Sequence, residues 1–129
     1  MNKRILFLLA TFIFLGSLTV SAQAILKFEK ISHNFGKFAE EKPVTYTFVF
    51  TNTGDEPLVI HQAMSSCGCT IANYTKTPVE PGKKGEVNVT YNGKGKYPGH
   101  FKKAITIRSN ASNKLVRLYV EGDMIEQKR

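Results

Sequence analysis

Val44-Thr45-Tyr46-Thr47-Phe48-Val49-Phe50 is the run from which the fold is read. In an extended chain successive side chains point to opposite faces, so Val44, Tyr46, Phe48 and Phe50 share one face while Thr45, Thr47 and Thr51 share the other. A strand of one sheet, oily on one side and hydroxylated on the other, must bury its first face against a second layer. Downstream, Thr51-Asn52-Thr53-Gly54-Asp55-Glu56-Pro57 reads as a connection, with Gly54 free to take positive φ and Pro57 ending the ladder.

The same grammar continues in both directions. Leu58-Val59-Ile60 opens a strand running toward Met64, and Val87 to Tyr91 alternates again behind the Val79–Gly85 turn, which Pro81-Gly82 marks. Phe101 to Ile107 and Leu115 to Val120 read as two last strands, joined by the polar stretch Ser109–Asn113. Leu26 to Phe38 supplies one or two more. No amphipathic helix of useful length, internal repeat or low-complexity linker interrupts the series. The expected architecture is all-β: an immunoglobulin-like β-sandwich of about seven antiparallel strands, with a small barrel as the competing all-β answer. The chain has no tryptophan, so the core rests on Phe, Tyr, Val, Ile and Leu.

Ahead of this domain, Lys3 and Arg4 precede an uncharged, mostly apolar stretch from Ile5 to Val20 that ends in Ser21-Ala22-Gln23-Ala24. That pattern is a secretory signal peptide, residues 1–24, with cleavage after Ala22 or Ala24. The stretch is short for a membrane span of roughly 20 residues, so no stable membrane insertion is expected after cleavage. Residues 25–129 then form a single domain, placed in the periplasm or outside the cell. The whole chain of 129 residues carries a formal charge of +8, and loss of Lys3 and Arg4 reduces this to about +6. Such a balance suits anionic envelope components and also simple solubility, and names no partner. No nucleic-acid-binding signature is present.

At this point the residues resemble a known family. The segments Phe48–Gly54, Pro57–Ile60, Ser66-Cys67-Gly68-Cys69-Thr70, Pro81-Gly82 with Gly85, Gly99–Lys103, Ser109-Asn110 and Gly122 together look like the bacterial domain-of-unknown-function family number 1573. The Cys-Gly-Cys-Thr element is its most specific mark. The resemblance implies an exported immunoglobulin-like sandwich, similar in shape to major-sperm-protein and pilus-chaperone domains. It implies no biochemical activity.

Cys67 and Cys69 are the only two cysteines. Two residues apart on a regular strand, their Cα atoms would lie about 6.5 to 7 Å apart, at the upper edge for a disulfide. A kink at Gly68 would shorten the gap. In an oxidising compartment the expected state is a local disulfide. As a staple it would contribute only about 1.6 kcal/mol, because the loop it closes is so short. Thiol exchange and two free thiols packed as small hydrophobes are the other readings. A further possibility is Cu(I) binding by the soft donors His61, Met64, Cys67 and Cys69, although Met64 departs from the parity of the other three. Zinc would need His33 or His100, both remote in sequence. No other cofactor is indicated.

Lys94, Lys96, Lys102 and Lys103 surround Tyr97 and Phe101 and form a candidate anion-binding group; a solvated turn is the plainer reading. Three Asn-x-Ser/Thr sequons, at Asn73, Asn88 and Asn110, are short enough to arise by chance. Neither His-Glu-x-x-His nor Gly-x-Ser-x-Gly occurs, and the acid pairs Glu40-Glu41 and Asp55-Glu56 fall in loops. The sequence therefore points to a non-enzymatic binding or scaffold module for an unknown protein or envelope component, with thiol-redox or Cu(I) chemistry at Cys67 and Cys69 as the alternative.

Overall fold

The alternating run forms β3 (Val44–Asn52), whose burial deepens along its length until Phe48, Phe50 and Asn52 are out of water. Its outer face is tied across to the next strand by polar side chains. Thr45 Oγ1 meets Thr90 Oγ1 at 2.8 Å, and Thr47 Oγ1 donates to Asn88 Oδ1 at 2.6 Å. The computed structural model describes residues 22–126, so the expected leader from Ile5 to Val20 lies outside the described residues. Every regular element described is a strand. Around β3 they are β1 (Leu26–Phe28), β2 (Ser32–Ala39), β4 (Ile60–Ser65), β5 (Thr70–Tyr74), β6 (Lys84–Tyr91), β7 (Gly99–Ser109) and β8 (Leu115–Ile125).

These eight strands make two four-stranded sheets in the orders β1-β3-β6-β5 and β2-β8-β7-β4. Facing side chains fill the gap: Phe48, Phe50, Leu58, Val87, Val89, Ile105, Ile107, Leu118 and Val120 are at most 1% exposed. Burying each such side chain stabilises by about 1.5–3 kcal/mol, and this is the main force holding the sheets together.

Two details go beyond the expected pattern of about seven antiparallel strands. The first segment is shared between the sheets: β1 runs antiparallel to β3, and the chain then crosses over so that β2 runs parallel to β8. Backbone bonds on either side fix the crossing, Glu29 N–H to Val49 O at 3.0 Å and Tyr119 N–H to Ile31 O at 2.8 Å. The second is β5, whose sequence Thr-Ile-Ala-Asn-Tyr is too short and mixed to announce itself.

Gly54 is needed for a reason other than positive φ, which it does not adopt. A Cβ there would collide with the backbone of Gln23, Ala24 and Ile25, so the N-terminal segment lies directly against the β3–β4 connection. Ala24 is 2% exposed, Asp55 N–H donates to Gln23 O at 2.8 Å, and Ser112 N–H donates to Ala24 O at 2.9 Å.

Candidate functional site

β4 leaves one sheet at Ser65 and β5 enters the other at Thr70, so residues 66–69 form a turn bridging the two layers at one end of the sandwich. Thr70 N–H donates to Cys67 O at 3.1 Å and closes the turn; Cys67 N–H donates to Ser65 Oγ at 3.3 Å. This curvature brings the Cα atoms of Cys67 and Cys69 to 5.2 Å, and the two sulfurs are bonded at 1.91 Å. The kink expected at Gly68 is not a left-handed conformation. Gly68 lacks positive φ, and its Cβ position faces open space, so the turn geometry itself shortens the gap.

The disulfide rests on an aromatic floor. Cys69, Tyr91 and Met124 form a buried cluster, with Cys67, Phe38 and Phe101 packed on it. Tyr91 stacks on Phe101 at 3.8 Å, and Phe38 meets both rings edge-on at 6.1 and 5.7 Å. Burial pushes the Tyr91 hydroxyl above its ordinary pKa, so it stays neutral. Cys69 is 9% exposed, whereas Cys67 is half-buried. Cys69 N–H donates to Cys67 Sγ at 3.2 Å.

The other candidate donors have different surroundings. A bulge between Ile60 and Gln62 displaces His61 from the ladder and resets the parity of β4. Ala63 and Ser65 then lie opposite the buried Ile107 and Ile105, while Met64 is 46% exposed and borders an outer-face hollow with Thr106, Arg117 and Tyr119. The His61 carbonyl accepts a hydrogen bond from the Tyr74 hydroxyl at 3.1 Å. Among the described residues no three His, Cys, Asp or Glu side chains gather in a metal-binding arrangement.

The four lysines are divided. Lys94 and Lys96 stand on the β6–β7 loop and line two cavities. One, of about 490 Å³, also has Glu40, Glu41 and Tyr97 in its walls; the other, of about 350 Å³, includes Gly68, Cys69, Ile71 and Asn92. Lys102 and Lys103 are successive residues of β7 and face opposite sides of their sheet. The Lys102 ammonium lies 5.2 Å from the Tyr119 ring centroid.

His33 is a half-buried stacking residue, its ring centroid 3.7 Å from that of Tyr46 and the two ring planes nearly parallel. Burial, and then the charge of Lys30, lower its pKa. His100 pairs with two acids of β8: Nδ1 lies 3.0 Å from Asp123 Oδ1, and Nε2 lies 3.4 Å from Glu121 Oε2. Sequence inspection missed that arrangement, for which a polar i, i+2 pair in a closing strand was the available signal.

Residues 26–124 match the family described as "Protein of unknown function (DUF1573)". The chain belongs to this family. Among curated proteins none matches the sequence. Solved structures similar to this DUF1573 domain are related in fold. A protein of unknown function from Porphyromonas gingivalis W83 has a TM-score of 0.70 at 16% identity, covering 86% of this chain and 51% of its own. This chain thus spans about half the length of that protein. The PapD-like domain 7 of human CEP192 has a TM-score of 0.67 at 12% identity, covering 82% and 89%. The periplasmic chaperone SfaE has a TM-score of 0.54 at 9% identity, covering 80% and 58%. The fold is therefore the immunoglobulin-like, PapD-like sandwich.

Proposed function

We propose that this DUF1573 domain is an exported, non-enzymatic binding module that holds an extended segment of another protein along the free edge of β5. The observation that carries this reading is the contrast between β5 and the other sheet edges. β1 has only three residues, β2 is broken by a bulge between Asn34 and Lys37, and β4 carries the His61 bulge. Bulged and very short edges resist addition of another strand. β5 pairs with β6 in unbroken register from Thr70 to Tyr74 and contains neither charge nor proline.

The ladder also defines which backbone groups are available. Asn92 N–H donates to Cys69 O and Thr75 N–H to Glu86 O, so by antiparallel alternation Ile71 and Asn73 face β6 while Ala72 and Tyr74 direct their N–H and C=O groups outward. Beside them Ile71 is 59% exposed and offers an apolar contact. Strand addition uses such main-chain bonds for affinity and neighbouring side chains for selection.

Ala72→Pro tests the edge. It removes an N–H that β6 does not use, and proline is tolerated on strand edges. Crosslinking in cells that export the protein should give a discrete adduct with the wild type, reduced at least tenfold by the substitution, with the melting temperature changed by less than about 5 °C. An adduct that survives the proline argues against β5, and absence of any adduct in the wild type argues against the binding reading.

Within the export reading, the packing of the N-terminal segment bears on the cleavage position. Gln23 and Ala24 belong to the packed domain, so cleavage after Ala22 preserves two backbone bonds and a buried methyl that cleavage after Ala24 would remove. Intact mass of the exported protein should place its first residue at Gln23. A product starting at Ile25 should be less stable by about 1–3 kcal/mol.

A further inference from the structure

Three features meet at the end of the sandwich: a disulfide whose two residues differ in exposure, a hollow lined by one of them, and two lysines that line the same hollow. The three-residue loop gives the bond little entropic value as a staple. Opening it costs the domain little, and beside the aromatic floor two cationic residues stand near Cys69. Among the described residues neither Lys94 nor Lys96 is in an ion pair, and both line the 350 Å³ cavity with Cys69. Lys94 and Lys96 also line the other cavity, together with Glu40 and Glu41, and the disulfide does not border that one.

We propose that Cys67–Cys69 is a thiol–disulfide exchange site for a low-molecular-weight thiol carrying a carboxylate, with Lys94 and Lys96 selecting the anion and stabilising the sulfur that leaves. The incoming thiolate attacks Cys67 Sγ, the sulfur of the more exposed residue. A sulfur–sulfur bond forms between the small thiol and Cys67 as the Cys67–Cys69 bond breaks. The bonding pair goes to Cys69, which departs as a thiolate at the edge of the hollow that it lines together with Lys94 and Lys96. A nearby cation lowers the pKa of a departing thiol and speeds its loss. A second small thiolate then attacks the small-molecule sulfur of the mixed disulfide and releases Cys67. Overall, two small thiols are oxidised to their disulfide, and the protein disulfide is reduced to two thiols that take up the two protons. This chemistry is independent of strand addition at β5, because the backbone groups of Ala72 take no part in it.

The test compares 3-mercaptopropanoate, cysteamine and 2-mercaptoethanol as reductants of the intact oxidised protein, with product followed by mass after alkylation. Dividing each rate by that for 2-mercaptoethanol, and then comparing wild type with Lys94→Gln/Lys96→Gln, cancels most of the intrinsic reactivity of the reagents. The wild type should favour the anionic reagent over cysteamine, and the double variant should reduce that preference by about tenfold. The 2-mercaptoethanol rate should fall about threefold through loss of leaving-group stabilisation. Identical preferences in both proteins, or no reduction by any of the three, would overturn the proposal. Single variants test the direction of attack. With the symmetric disulfide of 3-mercaptopropanoate as the oxidant, so that each mixed disulfide forms as one 3-mercaptopropanoate thiolate leaves, Cys69→Ser should accumulate it on Cys67 at least tenfold faster than Cys67→Ser accumulates it on Cys69; equal rates would refute Cys67 as the sulfur that exchanges with the small thiol.

Discussion

Replacing Asn52 by alanine is expected to destabilise the domain by about 3 kcal/mol, equivalent to a melting temperature lower by about 12–20 °C. Asn52 is fully buried, and its amide uses its full hydrogen-bonding capacity. Oδ1 accepts from Gly54 N–H at 2.9 Å and from Ile25 N–H at 3.3 Å; Nδ2 donates to Glu56 O at 2.6 Å and to Val79 O at 2.9 Å. One side chain therefore joins the entry to β1, the β3–β4 connection and the segment before β6. Truncation strands several of these groups at once. The loss is less than the sum of four bonds, because Val79 O also accepts from Leu58 N–H at 2.8 Å and the groups nearer the surface can bind water.

Asn52→Asp separates geometry from donor capacity. It preserves both acceptor bonds but turns an oxygen toward the carbonyls of Glu56 and Val79. Burial raises the pKa of such a carboxyl above its unfolded value, so the folded state binds the proton more strongly, and the variant's deficit relative to wild type should shrink as pH falls from 7 to 4. Urea unfolding at the two pH values measures this. A cost below 1 kcal/mol for Asn52→Ala would mean that the amide is not the fastener its contacts describe.

That residue also shows where sequence reading stops. Asn52-Thr53-Gly54 looks like an ordinary exposed turn, and nothing in the local pattern says that the segment at Gln23–Ile25 will cover it. Alternation was sufficient to read β3, because period-two patterning of side chains is a local property that becomes a buried face whatever the partner strand. The parallel β2–β8 pairing and the bulge at His61 were not legible, since each depends on a strand far away in the chain. That bulge matters for the site: one extra residue resets parity, so a donor series counted along a regular strand loses its meaning beyond Ile60. The same limit applies to the four lysines, which are close in sequence but divided between a loop and opposite faces of β7. Cys67 and Cys69 were the easier case, because only two positions separate them and almost any turn brings them together.

Phe50 and Gly85 should be strongly coupled, and Phe50→Ala should be the most damaging single truncation considered, at about 3–5 kcal/mol. The two residues are paired across β3 and β6, and the Phe50 ring covers the space where a Gly85 side chain would be. Phe28 closes the other side edge-on, with ring centroids 5.5 Å apart. The ring is 0% exposed, so it cannot swing into solvent to make room. Gly85→Ala should accordingly cost about 1–3 kcal/mol by overpacking. Phe50→Leu shortens and narrows the obstructing side chain, so adding Gly85→Ala to that background should cost at least 1 kcal/mol less than in the wild type. A double-mutant cycle by denaturant unfolding reads this coupling directly. Additivity within about 0.3 kcal/mol would mean that the glycine is present for some reason other than the ring above it.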